Sequence, residues 1–102
     1  MGKRFKENIQ PMPKTFSENI LKLRPVTFNY IEDETKTLTW GLIAEEVEEV
    51  MPQLVIYDQQ KRPHSVRYHD LPVLILNETK KLIEEHEQLQ KQIAYIVQEL
   101  DS

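Results

Sequence analysis

The sequence predicts an α+β fold: a small head of short helices and β-hairpins over residues 1–69, then a long C-terminal helix over residues 70–102 forming a trimeric coiled coil. Three observations carry this. From Asp70 onward apolar residues recur at alternating steps of three and four, the heptad signature of a helix that faces other helices. Upstream, paired runs of β-branched and aromatic residues flank polar turn residues, the pattern of hairpins. Pro11, Pro13, Pro25 and Pro52 cut the head into segments too short for long helices.

The elements follow in order. Arg4 to Ile9 reads as an extended or short strand segment ended by the two prolines. Thr15 to Leu23 (TFSENILKL) reads as a short helix, with Thr15 as N-cap, Glu18 at the capping-box spacing, and Phe16, Ile20, Leu21 and Leu23 on its buried side. Val26 to Ile31 (VTFNYI) and Thr37 to Leu42 (TLTWGL) alternate as strands of a hairpin around the charged turn Glu32 to Lys36. Trp40 is expected in the core, with Gly41 allowing close approach. Ala44 to Met51 (AEEVEEVM) is helical, with Ile43, Val47, Val50 and Met51 on one face and Pro52 as its stop. Its glutamates form a solvated face whose negative charge suits the first turn. Leu54 to Tyr57 and Ser65 to Tyr68 pair as a second hairpin around Asp58 to His64.

Asp70 is the expected cap of the long helix, and Pro72 lies in its first turn, where a missing N–H is harmless. At 1.5 Å per residue the helix runs about 45 Å, more than a head of this size needs for its own core. The a positions are Pro72, Thr79, His86, Ile93 and Leu100; the d positions are Ile75, Leu82, Leu89 and Ile96. Leu71 to Leu76 is nearly continuously apolar, so burial by the head and by neighbouring helices together is expected. Beyond Leu82 the flanks are charged or amide, leaving a narrow stripe suited to self-association. Isoleucine at both a (Ile93) and d (Ile96) favours three strands over two. The oligomerisation set is therefore Ile75, Thr79, Leu82, His86, Leu89, Ile93, Ile96 and Leu100. His86 makes a polar layer; charging three imidazoles about one axis predicts weaker association near about pH 5 than near about pH 8.

Composition narrows the function. A chain of 102 residues is expected to be one domain. A net charge of −4 with 29% charged residues argues against nucleic acid, which needs a basic face. No cysteine is present, so no thiolate or disulfide chemistry exists. No apolar run approaches the roughly 20 residues that cross a bilayer, and MGKRFKENI lacks the apolar core of a signal peptide. No metal, cofactor or membrane partner is expected. His64, Ser65, His69 and Asp70 do not make a triad: Ser65 and His69 are too far apart along a strand, and no glycine-rich elbow surrounds Ser65.

Four segments stand in a telling order: RFKENI (Arg4 to Ile9), LKLRPVTFNY (Leu21 to Tyr30), WGLIAEEVEEVMPQLV (Trp40 to Val55) and SVRYHDLPVLILNETKKL (Ser65 to Leu82). Together they resemble the C-terminal intramolecular chaperone auto-processing domain of phage endosialidases, tailspikes and tail fibres, a self-cleaving Ser–Lys peptidase family. The resemblance implies a homotrimer whose client is the upstream fibre or spike of the same polypeptide. It further implies action in the host cytoplasm during virion assembly, and release from the mature fibre by self-cleavage after a Ser. The family's Ser-Asp pair precedes a Lys placed five residues after the Ser. Lys6 matches that Lys, the candidate general base, while Met1 and Gly2 occupy the Ser and Asp positions. A Ser–Lys dyad needs a hydroxyl to activate. With Met1 there, no cleavage is expected from this chain, which resembles the released product. A permanent trimerisation adaptor, or an autoprotease once Ser is restored, are the alternatives.

Overall fold

The computed structural model describes residues 2–102. The head contains two separate two-stranded antiparallel sheets, one short helix and several 3-10 segments, and a single 30-residue helix leaves it. β1 (Val26–Phe28) pairs with β2 (Thr39–Gly41) in the register Val26–Gly41, Thr27–Trp40, Phe28–Thr39. Helix α1 (Ala44–Val50) follows, and a 3-10 turn at Pro52–Leu54 leads into β3 (Val55–Tyr57). β4 (Pro63–Val66) returns against β3, with a bulge between Ile56 and Tyr57. A 3-10 turn at Tyr68–Asp70 runs straight into α2 (Leu71–Leu100).

The core is small. Among the described residues Ala44, Val47, Met51, Leu54, Val55 and Val66 are buried hydrophobics, with Ile20, Leu23, Leu42, Val50, Leu71 and Leu74 packed against them. Val47 sits at its centre, 1% exposed. Of the α1 face expected from the sequence, Val47, Val50 and Met51 pack on the core, while Ile43 precedes the helix and Ala44 is buried in its place; Pro52 does end that helix.

Several expectations are corrected. Arg4 to Ile9 is no strand: Lys3–Phe5 forms a 3-10 turn, and Asn8 takes a left-handed conformation (φ 54°) that breaks an extended run. The Thr15 to Leu23 segment is helical but of the 3-10 kind, spans Lys14–Lys22, and starts from Pro13 without a side-chain cap. Thr15 lies inside it, so the capping box does not form. With three residues per turn, side chains three apart align. The buried side is therefore Ser17, Ile20 and Leu23, while Phe16 and Leu21 are each 63% exposed.

The strands of the first hairpin are shorter than expected, and the second hairpin is shifted, with a tighter turn and β4 at Pro63–Val66 where Ser65–Tyr68 was expected. In the first, Asp33 takes backbone donors that a longer ladder would need, accepting from the N–H groups of Thr35 (3.0 Å) and Thr37 (2.9 Å) and from the Thr35 hydroxyl (2.7 Å). In the second, Asp58 accepts from the N–H groups of Gln60 (2.8 Å) and Arg62 (2.9 Å). The strand there begins at Pro63 and ends at Val66, because Tyr68 already belongs to the 3-10 turn. Trp40 is 77% exposed, not in the core: strand alternation turns Val26, Phe28, Thr39 and Gly41 inward, and Thr27 and Trp40 outward. Gly41 does permit close approach, since a Cβ there would stand 2.8 Å from the Tyr68 hydroxyl. Asp70 has helical backbone angles and makes no side-chain cap.

The radius of gyration is 20.0 Å, against about 13 Å for a compact chain of this length. The projecting α2 accounts for the difference.

Candidate functional site

Two features of the chain are the candidates: the exposed face of α2 and the N-terminal segment bearing Lys6. Both are set by how α2 is held to the head. Leu71 and Leu74 pack on the core. One turn on, the contact becomes polar. Glu78 is 2% exposed and accepts from the Ser17 hydroxyl at 2.9 Å, while its other oxygen pairs with Lys81 at 3.1 Å. Asn77 donates to the Ser17 hydroxyl (2.9 Å) and to the Pro13 carbonyl (3.2 Å). Lys81 also reaches Glu18 (3.4 Å), and Lys14 reaches Glu84 (2.7 Å). Burial pulls the Lys81 ammonium toward deprotonation, but the hydrogen bonds and charges of Glu78 and Glu18 together outweigh it and hold its pKa above the ordinary value. A buried carboxylate with its partners in place is tolerable; without them it is costly. This latch was not foreseen. The signal for it is that Leu71 and Leu74, continued at helical spacing, arrive at Glu78 and Lys81.

The latch fixes which way α2 faces. Leu74, Glu78 and Lys81 look into the head; Ile75, Thr79 and Leu82 each follow by one residue, or about 100° around the axis. The a/d stripe therefore lies beside the head and is not covered by it. Ile75, Thr79, Leu82, His86, Leu89, Ile93, Ile96 and Leu100 are all exposed in the single chain. Leu89 is 56% exposed and Ile93 60%. Even in the Leu71 to Leu76 run only Leu71 and Leu74 are partly covered; Val73, Ile75 and Leu76 are open.

At the other end, Lys6 is exposed and follows the Lys3–Phe5 turn with extended backbone, its N–H donating to the Lys3 carbonyl at 3.0 Å. Met1, the residue at the matched nucleophile position, lies outside the described residues. His64 and His69 are exposed, and among the described residues no group of three His, Cys, Asp or Glu side chains converges as a metal site would need. Of the α1 glutamates, Glu45 and Glu49 are exposed, as expected, and Glu46 and Glu48 are half-buried. Arg24 holds Glu46 with two hydrogen bonds, at 2.6 and 3.1 Å, and these and its charge lower the Glu46 pKa. No described helix is long and apolar enough to cross a membrane.

A family model described as chaperone of endosialidase matches residues 3–56, more than half of the chain. The match takes in the Arg4 to Ile9, Leu21 to Tyr30 and Trp40 to Val55 segments and stops before α2. No curated protein matches the chain.

Proposed function

This chain belongs to the chaperone-of-endosialidase family, and we propose that it acts as a homotrimerising folding chaperone for a fibre or spike segment upstream in the same polypeptide. The chaperone role follows the family. The observation that carries the trimer is the a/d stripe of α2, a heptad face left open over the length of the helix, beside the head and not covered by it. Leaving so many Leu and Ile side chains in water forfeits about 1.5–3 kcal/mol for each that a partner could bury, and Ile93 with Ile96 suits three strands.

The physical need for such a device is clear. A long intertwined β shaft has high contact order and exposed strand edges while it forms. Holding three chains together raises their effective concentration and fixes their register. Release afterwards leaves the mature fibre kinetically trapped. The release step needs a Ser hydroxyl where Met1 stands, with the Lys6 amine as proton acceptor; the exposed, extended backbone at Lys6 suits a segment that must be reached for cleavage.

Sedimentation of this chain tests the assembly. A trimer is expected, and Leu89→Asp should reduce it to monomer, because three carboxylates cannot share one buried layer. A monomeric parent chain would overturn the reading. For the cleavage arm, a chain extended upstream and carrying Met1→Ser and Gly2→Asp should cut itself after residue 1, and Lys6→Ala should stop it. An intact extended chain would leave a permanent trimerisation adaptor as the function.

A further inference from the structure

We propose that each head carries a socket for the neighbouring copy of the chain: an apolar groove beside Trp40 that receives Leu76 from the adjacent α2. This rests on the threefold assembly proposed above and adds a second, head-to-helix contact to it.

The groove has a volume of about 300 Å³ and is lined by Ile20, Leu23, Val26, Trp40, Leu71 and Ile75 among others. Ile75 is also a d residue, so the groove opens directly onto the flank of the stripe. Its outer wall is Trp40, exposed yet fixed by pairing with Thr27. The neighbouring Leu42 N–H donates to the Tyr68 hydroxyl at 3.0 Å, which pins the strand behind it. A large aromatic side chain exposed on a paired strand suits the anchor of an interface.

The occupant follows from heptad geometry. In a parallel bundle the e flank of one helix faces the g flank of the next. On α2 the g flank includes Leu71 and Glu78, the residues that carry the head. The neighbour's e flank is thereby brought against the head and not against bare helix. That e flank is apolar at Leu76, Ile83 and Val97, which are 60%, 52% and 51% exposed. Charged or amide residues are usual at e in a bundle whose flanks meet water. Leu76 lies level with the groove, one residue beyond the Ile75 that lines it. A second apolar groove, lined by Met12, Phe16, Leu54 and Val73, lies on the opposite side of Leu74 from the stripe and takes no part. Threefold closure lets every head give one contact and receive one.

Trp40 is the only tryptophan, so its emission and its acrylamide quenching report the groove directly. Both would be followed through a dilution series of the full chain, beside sedimentation, for the parent, Leu76→Glu and Leu89→Asp. Circular dichroism would check that each variant remains helical, and Leu76→Gln would replace Leu76→Glu if it does not. The expected result is a blue shift and quencher protection that appear with the trimer. Leu76→Glu should weaken the trimer roughly tenfold or more while leaving Trp40 open in the trimer that still forms at high concentration. A parent trimer whose Trp40 is as quenchable as in the Leu89→Asp monomer overturns the socket and leaves the assembly standing. So does a Leu76→Glu trimer of parental stability with a protected Trp40. A parent that is monomeric at every concentration overturns both.

Discussion

Residues 71–81 and 82–100 belong to one unbroken helix, yet the head covers part of the first stretch, while the second is exposed throughout and meets the head through the exposed Lys14–Glu84 ion pair. Between Leu71 and Lys81, every third or fourth residue is wholly or partly covered by the head; from Leu82 on every residue is exposed. The apolar spacing continues through both. Periodicity thus reports that a face needs covering, and only the topology says by what. Near the head the covering is a small core followed by a polar latch. Farther out the head does not cover it, and the trimer proposed above would supply the covering.

If the head and the far end of α2 are stabilised separately, substitutions should divide cleanly between them. Leu54→Ala, at a buried core position, should destabilise the head by about 2–5 kcal/mol, read by urea denaturation. Ile93→Ala, measured at a dilution where chains are separate, should change head stability by less than about 0.5 kcal/mol. A similar loss from both would mean that the far helix contributes to the head's own fold. Glu78→Ala tests the border between the two stretches. It leaves Lys81 and the Ser17 hydroxyl without their buried acceptor, an expected loss of about 1–3 kcal/mol, with faster amide exchange confined to Lys14–Lys22. Unchanged exchange there would show that the latch does not hold that segment.

Gly41→Ala probes the hairpin side of the head. The new methyl would meet the Tyr68 hydroxyl at 2.8 Å, with an expected cost of about 1–3 kcal/mol. Most of that cost should vanish when Tyr68→Phe removes the hydroxyl, a non-additivity that a double-mutant cycle measures. The smallest change expected is acid loosening of the loop at residues 29–38. The Thr35 hydroxyl and the Thr37 and Thr35 N–H groups lower the Asp33 pKa. With the folded pKa depressed, this contribution is fully present above the unfolded value of about 4 and is lost as pH falls through the lower folded one. Exchange of the Thr35 and Thr37 amides should therefore gain protection as pH rises through that window, after correction for intrinsic rates, and Asp33→Asn should flatten the profile.

Much of the architecture was legible because it rests on spacing: the α1 face, the α2 length and the existence of both hairpins. What was missed depends on local competition. Thr15 lost its cap role because Pro13 set the start of the helix, and a 3-10 period then rotated Phe16 and Leu21 outward. Trp40 was expected in the core beside Gly41, although alternation along the strand puts neighbouring residues on opposite faces and so turns it out when Gly41 faces in. The stripe of α2 and the position of Lys6 were readable as candidates. The Ser17–Glu78 latch was only half legible: helical spacing from Leu71 and Leu74 reaches Glu78, but nothing in the sequence names Ser17, 61 residues away, as its partner.

The one-residue offset between Glu78 and Thr79 also limits how this gene can change in length. Adding seven residues to the distal rod keeps its Leu and Ile in line with Ile75 and Leu82, and so makes a longer spindle of the same hand. Adding one residue between Lys81 and Leu89 swings everything beyond it by about 100°. In the trimer proposed above, the distal stripe would then point away from the axis that the proximal stripe defines, and the three rods would splay where they should twine.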